Sequence, residues 1–232
     1  MVTIDGPVAA GKTTVARLLA NRLGAVLFDT GALYRAVTLA ALRDGIATDQ
    51  PETLAELVRL RRIDVQPPSE NDSRLYDVLL DGEDVTWAIR DPDVDASVSA
   101  VAAHPAVREA LLPVQRRIAD GGKVVMVGRD IGTVVVPDAG VKIYLNASVA
   151  ERARRRFDEM RQRGAGITFE NVLEDLIRRD KLDSQRPTSP LRAAVDATIV
   201  DSDGLTADAV AERIESVVRD AWANLDSVPQ PA

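Results

Sequence analysis

Gly6-Pro7-Val8-Ala9-Ala10-Gly11-Lys12-Thr13 carries two glycines, a lysine and a hydroxyl at the spacing G-x-x-x-x-G-K-[ST], the pattern that holds the phosphates of a nucleoside triphosphate. The glycines let the backbone turn tightly, so that successive N–H groups and the start of the following helix face the β- and γ-phosphates. Lys12 supplies a point charge, and the Thr13 hydroxyl is a ligand for the Mg²⁺ that travels with the nucleotide, an ion that needs few protein oxygens. Val2-Thr3-Ile4 reads as a short strand before this loop, and Thr14 to Leu23 places apolar residues at helical spacing after it. An ordinary Gly-rich turn before a helix is the plainer alternative, and the strand–loop–helix context weighs against it.

Three further segments suit a second anion. Asp29-Thr30-Gly31-Ala32-Leu33-Tyr34-Arg35 ends a strand and opens a helix, with Thr30 and the next N–H groups where a phosphate would sit and Arg35 one turn on. Gly128-Arg129-Asp130-Ile131-Gly132-Thr133 follows an apolar run, so a charged pair stands at the end of a buried strand. Arg179, Asp183 and Arg186 recur at i, i+4 and i+7, one helical face, although an ion-paired surface helix has the same spacing. Ten arginines lie between Arg152 and Arg192 in a chain of net charge −7, a local excess that suggests a positive pocket. On a helix, Arg152, Arg155, Arg156 and Glu159 share one side and Arg154 points elsewhere; a solvated face paired to Glu151, Asp158 and Glu159 is the alternative.

The elements that must position these groups are those of an α/β protein, with β-branched runs alternating with amphipathic segments. Strands are expected at Val2 to Ile4, Val26 to Phe28, Val124 to Val127, Val141 to Leu145 and Thr198 to Val200. Helices are expected at about Lys12 to Leu23, Ala32 to Arg43, Pro105 to Ala119, Val149 to Arg163, Phe169 to Arg179 and Ala207 to Leu225, before a frayed tail from Asp226. Ile63-Asp64-Val65, Leu75 to Leu80 and the turn Asp81-Gly82 predict a small β-rich insert.

Composition removes several kinds of chemistry. The chain has no cysteine and a single histidine, His104, which excludes disulfides, thiolate sites and a cysteine nucleophile and leaves little for a His-based zinc site or a serine–histidine triad. His104, before Pro105, reads as a loop or helix-start residue. The acidic balance and 3% aromatic content argue against nucleic acid as a partner. No apolar run reaches bilayer-spanning length and the start lacks a basic-then-apolar leader. A soluble cytoplasmic protein is expected.

Ile4-Asp5-Gly6-Pro7, the phosphate loop, Asp29 to Arg35, Gly82-Glu83-Asp84-Val85-Thr86, Val107-Arg108-Glu109-Ala110-Leu111, Gly128 to Val135, Pro137-Asp138, Glu151-Arg152-Ala153 and Ser189-Pro190-Leu191 together resemble the bacterial cytidylate kinases, a branch of the P-loop nucleoside monophosphate kinases. The motifs span nearly the whole chain in family order. The resemblance implies a P-loop three-layer α/β/α fold with a mostly parallel central sheet, a small β-rich insert and a helical lid. The core would occupy about 1–62, 93–148 and 187–225, the insert 63–92 and the lid 149–186. It implies transfer of a phosphoryl group from ATP, with Mg²⁺, to CMP or dCMP by a monomer.

Residue by residue, the resemblance assigns Gly6, Pro7, Val8, Ala9, Ala10, Gly11, Lys12, Thr13 and Thr14 to ATP, with Arg155 and Arg156 in the lid over it. Thr30, Tyr34, Arg35 and Arg129 match positions for the acceptor phosphate and its sugar end, and Ser99, Arg108 and Asp130 those that read cytosine. Asp183 and Arg186 match ribose contacts, and Arg179 an arginine between the two nucleotides. Lys12, Arg129 and Arg179 would be the catalytic charges. One departure is Val127, where the family usually has an acid, which leaves Asp5 and Asp130 as candidates for the metal's surroundings; a few residues usually found upstream of the first strand are also missing. Two rivals remain. Asp180-Lys181-Leu182-Asp183 is a near miss to a guanine-reading motif, which would make a GTP-dependent switch, and a kinase for a non-nucleotide acceptor would share the P-loop alone.

Overall fold

In the computed structural model, which describes residues 1–162, 164 and 166–226, the chain runs β1 (Val2–Asp5), α1 (Lys12–Leu23), β2 (Val26–Asp29), α2 (Gly31–Arg43), α3 (Pro51–Leu60), β3 (Ile63–Gln66), β4 (Asp77–Leu80), β5 (Glu83–Asp84), α4 (Pro92–Ala103), α5 (Pro105–Ala119), β6 (Val124–Gly128), β7 (Val141–Asn146), α6 (Val149–Gln162), α7 (Phe169–Gln185), β8 (Thr198–Asp201) and α8 (Ala207–Asp226). Five strands form a parallel sheet in the order β2-β6-β1-β7-β8. β1 is central, with Ile4 opposite Val127 on one side and Ile143 on the other. Alternate residues of β6 serve different cores. Val124 and Met126 pack with α2, α3 and α5, whereas Val125 and Val127 pack with α1 and α8. Two helical layers therefore cover the two faces, as burial of an all-parallel sheet requires.

The β-rich insert forms where expected. β3, β4 and β5 make an antiparallel sheet, and the hairpin between Leu80 and Glu83 turns on Asp81 and Gly82, both at positive φ (53° and 88°), the backbone of a two-residue type I′ turn.

Two expectations need correction. Two helices, α3 and α4, occupy stretches for which no element is expected; each opens with a proline in its first turn and acidic residues beside it, which is a helix-start signal. α7 runs on past Arg179 to Gln185, and Arg186 follows in extended conformation, so Arg186 is not on the helical face of Arg179 and Asp183. Residue 163, the expected end of α6, and the tail from 227 lie outside the described residues.

α6 and α7 pack as a pair through Ala153, Val172 and Leu176, with Phe157 and Phe169 edge to face at 6.0 Å. Arg152, buried in this pair, donates to the carbonyls of Ala147 and Val8 at 3.0 and 3.1 Å and pairs with Asp180.

Candidate active site

The phosphate loop leaves the central strand at its C-terminal end, where ligands collect in open parallel sheets. Gly6 is confined there by backbone: its φ is +152°, and a Cβ would stand 2.1 Å from the Leu145 carbonyl oxygen. Lys12, buried in the first turn of α1, donates from Nζ to the Pro7 carbonyl at 2.7 Å. Burial and then the neighbouring Arg129 push the Lys12 ammonium below its ordinary range, a position that an incoming polyphosphate would reverse. Arg155 approaches the loop from α6, with Nη1 3.8 Å from where a Gly11 Cβ would be, and it donates to the hydroxyl and carbonyl of Ser202. Arg154 turns outward to Glu151 and Asp158, as helical spacing predicts.

Beside the loop lies a cavity of about 150 Å³, and all ten residues expected to surround an acceptor line it: Thr30, Tyr34 and Arg35 from the start of α2, Ser99 from α4, Arg108 from α5, Arg129 and Asp130 after β6, and Arg179, Asp183 and Arg186 at the end of α7. Asp130 accepts from Arg108 Nη2 at 2.5 Å and from Arg186 Nη2 at 3.4 Å, and the three are buried together. Arg129 Nε donates to Asp183 at 2.9 Å. Arg108 lies 5.2 Å over the Tyr34 ring, whose hydroxyl accepts from Gln115, so Tyr34 belongs with the Arg108–Asp130 end of the cavity. Gly128 makes the close packing possible, since a Cβ there would meet Ile131 at 2.5 Å and the Thr30 hydroxyl at 2.8 Å.

The model of the cytidylate kinase family matches residues 2–220. The cytidylate kinase of Roseiflexus castenholzii is 48% identical over 221 residues, covering 95% of this chain and 94% of that protein. That of Chloroflexus aggregans is 51% identical over 205 residues, covering 88% and 87%. The chain belongs to the cytidylate kinase family. It is an enzyme, a nucleotide-binding P-loop kinase.

Other parts of this kinase differ from their sequence reading. Asp5 and Asp130 were candidates for the metal's surroundings, but the Asp5 carboxylate accepts the Ile131 and Gly132 N–H groups at 2.9 and 2.8 Å, and Asp130 is held by two arginines. It is Asp29 that meets the loop: its Oδ2 accepts from the Thr13 hydroxyl at 2.8 Å. The other Asp29 oxygen accepts the Gly31 N–H at 3.0 Å, so the first helix donor expected for a phosphate is already taken. The Thr30 hydroxyl is likewise bonded to the Val127 carbonyl. Asp180 of the guanine-like near miss pairs with Arg152, and Asp183 with Arg129, inside or at the end of α7, where neither is presented as a guanine reader. His104 bonds the Thr48 carbonyl through its ring and is structural.

Nothing local marks Asp95 in the sequence. It sits in the first turn of α4, where an acid reads simply as a complement to the helix dipole, yet Arg35, Arg156 and Arg179 all converge on it. Only its partners, distant in sequence, mark it as part of the site.

Burial pushes the Asp5 carboxyl up to about 6, against the Gly132 and Ile131 hydrogen bonds that lower it. The native carboxyl thus keeps its proton to higher pH than the unfolded one at 3.8. Its stabilising share is complete below that lower value and is lost as pH rises through about 6. The stability of the wild type relative to Asp5→Asn should therefore rise by about 1 kcal/mol between pH 7 and pH 5. Urea unfolding of both proteins at the two pH values measures this, and a constant difference refutes it.

Proposed function

We propose that this kinase transfers the γ-phosphoryl group of ATP to CMP and dCMP, giving CDP or dCDP and ADP. The observation that carries the proposal is the single cavity that gathers all ten acceptor residues beside the P-loop. A phosphate oxygen of the monophosphate attacks the γ-phosphorus while the bond to the bridging β-oxygen breaks, and ADP leaves with that electron pair. The attacking oxygen is largely deprotonated at neutral pH, so no general base is needed and the structural position of His104 costs nothing. The protein's work is alignment and cancellation of charge on the transferring group. Lys12 and Arg155 face the donor, Arg35 and Arg129 the acceptor phosphate, and Arg179 the group in transit.

The Thr13 hydroxyl and the Asp29 carboxylate form a hard-oxygen pair suited to Mg²⁺ and its waters, and no cluster of three acidic, His or Cys residues among the described residues offers a protein cage instead. Mg²⁺, when bound, would neutralise charge on the β- and γ-phosphates. α6 and α7 are the lid over ATP, closing to exclude water. No helix among the described residues is long and apolar enough to cross a membrane; the protein acts as a cytoplasmic monomer in pyrimidine nucleotide metabolism.

Base selection falls to Ser99, Arg108 and Asp130. Arg108 Nε is a buried donor without a hydrogen-bond partner, a capacity that an acceptor on the cytosine edge would use, while the remaining lone pairs of Asp130 accept the cytosine amino group. Uracil presents the opposite pattern and would leave these groups unpaired. Turnover with CMP, dCMP, UMP, AMP, GMP and dTMP at equal concentration tests the proposal: CMP and dCMP should be the best acceptors, and a better third acceptor overturns it. Arg108→Ala should raise the UMP to CMP ratio of kcat/KM at least tenfold. An unchanged ratio with general loss of activity would assign Arg108 to the fold.

A further inference from the structure

Arg35 on α2, Arg156 on α6 and Arg179 on α7 end on one carboxylate. Arg35 Nη2 donates to Asp95 Oδ1 at 2.6 Å, Arg156 Nη2 lies 3.4 Å from Oδ2, and Arg179 Nη2 lies 3.6 Å from Oδ2 while donating to the Asp95 carbonyl at 3.0 Å. Among the described residues, Asp95 is the one carboxylate in ion-pair contact with arginines of three other helices. Burial works to raise its pKa, but the Arg35 hydrogen bond and the charges of Arg35, Arg179 and Arg156 win and hold the carboxyl below its usual range. Arg156 and Arg179 each keep a second carboxylate on their own helix, Glu159 and Asp175, both at 3.0 Å, whereas Asp95 is the one anion that all three cations share, in a half-buried place at the edge of the cavity that Arg35 and Arg179 line. Without the Asp95 carboxylate, Glu159 and Asp175 would leave the three arginines with an excess positive charge that draws in a phosphate more strongly; with it, an entering phosphate must take the arginines from a shared partner already in place.

Resting on the reading above, we propose that Asp95 is an internal stand-in for substrate phosphate, occupying Arg35, Arg156 and Arg179 in the empty site and yielding them when a phosphate enters. It lowers the affinity of the site for phosphate-bearing ligands and spares ligands that lack a phosphate. A dianion with three terminal oxygens outcompetes one carboxylate for three guanidiniums, but only by the difference between the two sets of pairs.

Calorimetric titration of the wild type and Asp95→Asn with CMP, inorganic pyrophosphate and cytidine tests this. The variant should bind CMP and pyrophosphate roughly tenfold more tightly, with cytidine unchanged within about twofold. Weaker binding of CMP and pyrophosphate by a folded variant overturns the proposal, because Asp95 then positions the arginines for the phosphate. Equal binding, or no binding of pyrophosphate by either protein, overturns it too. If the variant does not fold, the ¹³C carboxyl resonance of Asp95 in the wild type decides: it should move as pyrophosphate is added, and a stationary resonance refutes displacement. Pyrophosphate carries no base, so this arm holds even if the acceptor panel shows that CMP is not the substrate.

Discussion

Arg179→Ala should lower kcat by about a thousandfold, the scale for arginines that meet a transferring phosphoryl group. The side chain is 13% exposed, and its Nε stands 3.0 Å from Asp175 as an ion pair without hydrogen-bond alignment. It thus lines the cavity without a fully committed guanidinium. Affinity for CMP in the absence of ATP should fall much less, because the charge that Arg179 is proposed to meet develops only during transfer. Arg186→Ala offers the contrast: Arg186 is tied to Asp130 and the Ser189 carbonyl, and its loss should chiefly raise the KM for CMP. Steady-state kinetics with CMP varied at saturating ATP separates the two. Should Arg179→Ala change only KM, it is an acceptor-binding group and Arg129 or Arg155 must carry the transferring charge.

Lys12→Ala should depress turnover by roughly a hundredfold or more without lowering the melting temperature. The two outcomes share a cause. The ammonium is buried at a cost, with the Pro7 carbonyl as its hydrogen-bond partner and Arg129 as a like-charged neighbour, so the empty protein gains little from it. Its contribution is expected when phosphates arrive. Turnover near the wild-type level would remove Lys12 from the mechanism, and a lower melting temperature would show that it also supports the loop.

Legibility in the sequence followed locality. The loop from Gly6 to Thr13 and the five strands are runs of neighbouring residues whose pattern needs no distant partner, and each formed within a residue or two of its expected place. α3 was missed although Leu54, Leu57 and Val58 make a buried stripe and Pro51 marks its start. α4 is rich in Ala, Ser and Val and has no strong stripe, so only Pro92 and the acids announced it. Of the ten residues expected around an acceptor, Thr30, Tyr34, Arg35, Arg129, Asp130, Arg179, Asp183 and Arg186 stand in segments that local pattern marks, Ser99 and Arg108 come from the family resemblance alone, and Asp95 and the Asp29–Thr13 bond depend on contacts between separate elements. Spacing also misled: Arg186 sits at i+7 from Arg179, but α7 ends at Gln185 and backbone beyond the helix brings Arg186 to Asp130.

Arg152 is a pin through the base of the α6–α7 hairpin, joined at once to the phosphate loop, to the segment after β7 and to α7. As the lid proposed above, a hairpin pinned at its root would move as a lever, with residues at different distances from the pin. With a rise of about 1.5 Å per residue, a swing of about 10° about Arg152 carries Gln162 through about 2.6 Å but Arg155 through only about 0.8 Å. Such a swing would be geared down about threefold at Arg155 relative to Gln162, so the guanidinium beside Gly11 would keep its bearing on the phosphate loop while the far end of α6 travelled.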